Sequence, residues 1–183
     1  MSTRLIWTAS NFPIAKLIQA VTKDPAVPVT PSHIMIGYDD ELWGGQWVSE
    51  STVGGVHNLP AERRMHNVVA IVECLFDTKL ALQDVRKYIG DNFDYPGLVF
   101  VGWAKLMWRL FRVKVRSPWH STTAQFCSEY ASRMLLAAEN HREIPKLNGL
   151  YENPEKNYPI PLLKMALSYP EHFKVLYLKG QTT

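Results

Sequence analysis

The stretch SHIMIGYDDELWGGQWVSE, residues 32–50, decides how the chain is read. HIMIGY is an apolar run that opens a strand at His33, and DDELWGGQ is a hairpin turn in which Gly44 and Gly45 supply the permissive backbone. QWVSES is then a second short strand, antiparallel to the first. Because antiparallel partners set the start of one strand opposite the end of the next, the hairpin brings His33 and Glu50 within reach of each other. One of these side chains can then orient the other.

Toward the N-terminus, KDPAVPVTPS holds three prolines in ten residues and forms an extended connection. Ahead of it, a Ser10/Asn11 cap precedes Ile14, Leu17, Ile18 and Val21, spaced as one face of a helix that ends at Thr22. Toward the C-terminus, Gly54 and Gly55 turn the chain before VHNLP. NVVAIVECLF then has the β-branched content of a strand buried on both faces and is expected at the centre of the sheet. Thr78 caps a helix carrying Leu82, Val85 and Ile89, and Gly90 stops it. After the turn GDNFDYPG, Pro96 starts a helix running to about Phe111, and FRVKV alternates as an edge strand guarded by Arg112, Lys114 and Arg116. In CSEYASRMLLAA the residues Cys127, Ala131, Met134, Leu135 and Ala138 form one stripe facing the sheet. A Pro- and Asn-rich passage, a short helix around Leu162 to Leu167 and a final strand FKVLYL complete the chain. The expected class is α+β: one domain over residues 1–183, with helices packed on a mostly antiparallel sheet of five to seven strands.

Composition narrows the function. With 46% hydrophobic and 20% charged residues, the 183-residue chain is neither disordered nor fibrous. The net charge of +3 is interspersed, so no basic block makes nucleic acid a partner. Two cysteines make no disulfide framework, and a reduced compartment is the simpler setting. MSTRLIWTASNFPIAKLIQA lacks a signal-peptide pattern, which gives a cytoplasmic expectation. The most apolar stretch, Tyr95 to Leu110, is broken by Lys105 and Arg109, so no transmembrane segment is expected. Nucleotide-loop, serine-elbow and zincin motifs are absent. The spacings of His33, His57, His66, Cys74 and Cys127 match no compact metal-ligand pair, so neither a metal nor a cofactor is expected.

What remains is a thiol. Cys127 opens a helix, where unsatisfied N–H groups and the positive dipole end favour thiolate, with Ser121, Thr122 and Thr123 as candidate caps. To attack a carbonyl it needs an imidazole beside it, and the imidazole needs a polar group to hold its orientation. The hairpin supplies both in His33 and Glu50. Cys74, inside VVAIVECLF, reads as inert core packing, and Glu73 beside it needs an exposed face or a partner. His57 reads as a loop residue lining the cleft. His66, His120, His141 and His172 read as surface or turn positions.

The order SHIMIGY with His33, WVSES with Glu50, GGV, a buried strand, a helix ending in G-x-x-x-DY and FCSEY with Cys127 resembles the circularly permuted branch of the NlpC-type papain-like cysteine hydrolases. YiiX-like proteins and, more distantly, lecithin retinol acyltransferases belong to that branch. The resemblance implies a permuted papain-like fold with Cys127 as nucleophile, His33 as base and Glu50 as the orienting residue. Glu50 departs from the His, Asn or Gln usual at that position, and Asp94 and Tyr95 stand in the reverse of the family's Tyr-Asp order. Asp94 and Tyr95 are therefore placed near the site and no closer, and Tyr95 and His57 are the candidates for binding substrate.

The implied substrate is a peptide amide, first of all in a cell wall, with a lipid ester or acyl transfer second. Without a signal peptide, a wall-directed enzyme would reach its target by lysis or as part of a phage-like particle. Trp103, Trp108 and Phe111, interleaved with Lys105, Arg109 and Arg112, suit a membrane interface, although core packing with snorkelling basic groups is the favoured reading. An exposed aromatic face there would make lipid the better substrate class. The rival reading from another class is a binding module or virion structural protein that keeps the fold without turnover.

Overall fold

The computed structural model describes residues 2–39, 45–52, 54–94, 103, 107, 110–113, 124–147 and 158–180. In chain order these form β1 (Thr3–Thr8), α1 (Pro13–Thr22), β2 (His33–Asp39), β3 (Gln46–Thr52), β4 (Gly55–Pro60), a 3-10 turn (Ala61–Arg63), β5 (Val68–Cys74), α2 (Lys79–Arg86), β6 (Asn92–Phe93), β7 (Ala124–Gln125), α3 (Cys127–Asn140), α4 (Pro159–Ser168) and β8 (Phe173–Leu178). Six strands make one sheet in the order β4-β3-β2-β1-β5-β8, antiparallel at every pairing, so the α+β class stands. The short β6 and β7 pair in parallel beside it.

Strand alternation divides the side chains between two faces. Leu5, Trp7, Ile34, Ile36 and Val72 join the main core with Leu82 and Val85 of α2, Tyr130, Met134 and Leu135 of α3, and Leu162 and Leu163 of α4. Ile6, Met35, Val48 and Ala61 form a second, smaller cluster on the opposite face. The Trp7 indole N–H donates to the Pro159 carbonyl at 2.9 Å, tying the first turn of α4 to the middle of the sheet.

Several local expectations change. The middle of the sheet is β2 and β1, whereas NVVAIVECLF, as β5, lies one strand from the edge. TRLIWT carries no alternation that marks it as a strand, because it is covered on both sides. VHNLP lies in β4. Leu17 is 60% exposed, and the buried face of α1 is turned toward Ala15. Its N-cap is Phe12, whose N–H reaches the Ser10 hydroxyl at 3.3 Å. Thr78 does precede α2, but its hydroxyl is spent on Thr3 Oγ1 at 2.6 Å and makes no cap bond. The helix ends at Arg86, leaving Ile89 outside it, and Gly90 turns with φ +97°.

Phe111 is helical, and Arg112, at φ +58°, leaves the helical conformation, so residues 111–113 are not the expected edge strand. Lys114 and Arg116 lie outside the described residues. Trp103, Leu110, Phe111 and Val113 are exposed, against the core-packing expectation. Cys127, Ala131, Met134, Leu135 and Ala138 are all buried as the stripe predicts, and β8 falls on FKVLYL. Among the described residues no helix is long and apolar enough to cross a membrane.

Candidate active site

Two elements deliver the site to one end of the sheet. β2 and β3 pair from Asp39↔Gln46 up to Ile36↔Ser49, and His33 and Glu50 both lie just past that last pair. Alternation puts Glu50 on the same side as Val48, the face opposite the main helices, and Ser49 on the helix side. There Ser49 Oγ and the Tyr130 hydroxyl hydrogen-bond at 2.7 Å and lock β3 to α3. The same contact fixes the height of the first turn of α3 above the strands.

Cys127 is the first residue of that helix, with Phe126 as an extended N-cap that makes no side-chain cap bond. Ser121, Thr122 and Thr123 lie outside the described residues. The Cys127 sulfur is instead hydrogen-bonded by the His33 ring and by the backbone N–H groups of Ile34 and Ser128. The sulfur thus arrives from the helix side, Glu50 from the other face, and His33, at the very start of β2, stands between them.

The imidazole is used at both nitrogens. His33 Nε2 lies 2.9 Å from Glu50 Oε2, which leaves Nδ1 for the thiol. Burial opposes charge on each of these groups, and their partners outweigh it. Burial alone would raise the Cys127 thiol, but the His33 charge and hydrogen bond, with the two backbone N–H donors, hold it below its ordinary range. Burial likewise disfavours the imidazolium, yet the Cys127 thiolate and the Glu50 carboxylate hold His33 well above a free imidazole. Glu50 is almost wholly buried and is nevertheless kept below the usual carboxylate range, first by its hydrogen bond to His33 and then by the charges of His33, Arg64 and His57. The arrangement can therefore hold a thiolate and imidazolium pair near neutral pH.

The second Glu50 oxygen completes the constellation. His57 Nε2 lies 3.3 Å from Oε1, and Arg64 Nε lies 2.6 Å from it. The Arg64 contact is an ion pair by distance, but its angles make no hydrogen bond. His57, expected in a loop, lies in β4 directly across from Glu50. The Glu50↔His57 register was within reach of the sequence, because a short Gly turn between the two strands fixes it. Arg64 had no such signal: it sits among polar residues after the 3-10 turn and comes to Glu50 because Ala61 packs beneath β3.

Neighbouring groups keep other charges satisfied. Glu129, in the first turn of α3, is paired with Arg133 at 2.7 Å, and Arg133 lies over the Tyr88 ring at 5.1 Å. Burial, and after it Asp94, raises the Glu129 carboxyl against the opposing pull of Arg133. Asp94 is buried close by, whereas Tyr95 lies outside the described residues. Gly55 admits the chain at this end, since its φ is +91° and an added Cβ would stand 2.3 Å from the Asp91 carbonyl oxygen.

Of the remaining candidates, Cys74 is buried at the far end of β5, where burial pushes its thiol far above the ordinary range. Glu73 beside it accepts a hydrogen bond from the Ser2 hydroxyl at 2.7 Å. His141 pairs with Asp84 at 2.8 Å on the surface, away from these groups. His120 lies outside the described residues. Among the described residues no group of three or more His, Cys, Asp or Glu side chains is disposed to hold a metal ion. The chain matches no protein-family model, no curated protein and no solved structure.

Proposed function

We propose that the protein is a thiol hydrolase of permuted papain-like design, working through a covalent acyl-enzyme. The observation that carries this reading is the chain of contacts from the Cys127 sulfur, at a helix N-terminus, through the His33 ring to the buried Glu50 carboxylate. In the first half-reaction the thiolate adds to the carbonyl carbon of an amide or ester. The oxyanion receives hydrogen bonds from N–H groups at the start of α3, with the Cys127 N–H the first of them and without an acceptor inside the helix. The His33 imidazolium then gives its proton to the departing nitrogen or oxygen, and the carbon–heteroatom bond breaks to leave a thioester. In the second half-reaction neutral His33 takes a proton from water, the resulting hydroxide attacks the thioester, and thiolate and imidazolium are restored with release of the acid.

For the substrate, a peptide amide of the cell-wall kind follows from the resemblance. A lipid ester is the second reading, and a specific observation favours it: Trp103, Leu110, Phe111 and Val113 are 47%, 62%, 63% and 49% exposed. Such side chains suit the edge of a lipid surface. An activated short-chain ester, a cell-wall peptide and mixed phospholipid vesicles, each offered to the parent and to Cys127→Ala, test the function and sort the substrates. Thioester formation on Cys127 in the parent alone supports the proposal. A parent that acylates no faster than Cys127→Ala with all three favours a binding or structural role.

A further inference from the structure

The Glu50 carboxylate is shared between two tasks. Oε2 accepts from His33, and Oε1 faces His57 across the β3–β4 pair and Arg64 beyond the 3-10 turn. Glu50 is 1% exposed, so its charge is met by these partners in place of bulk solvent. Arg64 stands only 2.6 Å away, yet neither Arg64 Nε nor Glu50 Oε1 has a hydrogen-bond partner of good angle. The contact is therefore one of charge more than of direction. The groups facing Glu50 are His33 from β2, His57 from β4 and Arg64, with Cys127 of α3 next in line behind His33. Glu62 and Arg63, on the 3-10 turn, are exposed.

We propose that Arg64 is a positioning residue of this site: its charge holds the second oxygen of Glu50, so that the first is left, unprotonated, to hold the His33 ring against Cys127. The inference rests on the thiol-hydrolase reading above and adds to it a residue outside the Cys, His and Glu trio. The His33 charge is shared with a thiolate and His57 stands 3.3 Å away, so a carboxylate as deeply buried as Glu50 needs a further positive charge beside it to stay ionised as the pH falls. Arg64 is the permanent charge that supplies the difference, because a guanidinium does not titrate in the working range. Once Glu50 takes a proton, His33 loses its acceptor, and the imidazolium that sustains the thiolate is weakened. The acid limit of Cys127 reactivity is thus set in part by a residue that touches neither the sulfur nor the imidazole.

The test is the alkylation rate of Cys127 by iodoacetamide between pH 4 and 10 in the full-length parent, Arg64→Gln, Arg64→Lys and Glu50→Gln/Arg64→Gln, with thermal melting of each. The acid limb of Arg64→Gln is expected to move up by about one pH unit, in the range that an opposite charge within a few ångströms commands. Arg64→Lys restores most of that shift, since charge and not hydrogen-bond direction is what the contact supplies. In the Glu50→Gln background the Arg64 substitution moves the limb no further. Superimposable limbs for Arg64→Gln and the parent overturn the proposal, whatever the melting temperature does, and so does a lysine variant displaced as far as the glutamine one. A melting temperature lowered with no movement of the limb assigns Arg64 to packing alone. A parent in which Cys127 reacts no faster than Cys74 at any pH overturns the thiol-hydrolase reading itself, and the positioning role falls with it.

Discussion

Cys127 and Cys74 are hidden to the same degree, at 7% and 6% exposure, and both border the same apolar core. Their surroundings differ in polarity alone. Cys74 ends β5 with Thr3 and Phe173 as strand neighbours and the Glu73 carboxylate next to it, so burial and a like charge both hold its proton on. Cys127 meets the same burial but has an imidazole and two backbone N–H donors at its sulfur. Burial alone therefore does not separate the two thiols. A desolvated thiol with nothing to stabilise its anion keeps its proton, and one whose neighbours supply positive charge and N–H donors loses it in spite of being out of water.

The sharpest way to break the comparison is to remove each sulfur in turn. Cys127→Ala should lower turnover of an activated ester by about ten-thousand-fold or more, the scale seen when a covalent nucleophile is lost. Cys74→Ala should leave turnover near that of the parent and cost stability, about 1 kcal/mol for a small buried group, read by thermal melting. Next in size is His33→Ala, which should convert Cys127 into a second Cys74. Its alkylation at pH 6 should fall by about a hundredfold, while the folded far-ultraviolet spectrum stays unchanged.

Glu50→Gln keeps the shape of the contact and removes its charge, so a smaller loss is expected, about ten- to a hundredfold in kcat/KM. The sign of its pH effect follows from the folded state. His33 is held above its free value by its partners, so the thiolate and imidazolium pair persists up to that raised value and is lost as pH rises through it. Without the Glu50 charge the alkaline limb should move down. Smallest of all, Gly55→Ala strains a left-handed position against the Asp91 carbonyl and should cost more than about 1 kcal/mol in melting while leaving the pH profile in place.

How much of this could be read beforehand follows from which forces are local. His33, Glu50 and Cys127 were legible because a hairpin and a helix start are short-range features, and their chemistry needs only that those two pieces meet. β2, β3, β5 and β8 announce themselves by apolar runs between turn residues. β1 does not, since TRLIWT is buried on both sides and only its pairing along its whole length with β2 on one side and β5 on the other reveals its place. Strand order is a matter of which faces the helices cover, and no single segment carries that information. β6 and β7 are two residues each, held by tertiary contact to β4, and have no pattern of their own. Arg64 illustrates the same limit within the site, because its partner is fourteen residues away through a strand and a turn.

The central claim is that Cys127 is ionised by its neighbours and Cys74 is not. The most direct measurement is peptide-resolved alkylation of the folded protein with iodoacetamide across pH, read at both cysteines in the parent and in His33→Ala. The account predicts that Cys127 reacts well below the unperturbed thiol value of about 8.5, that Cys74 stays unmodified until the protein unfolds, and that His33→Ala erases the difference. Equal sluggishness of both thiols in the parent, or a Cys127 profile indifferent to His33, would contradict it.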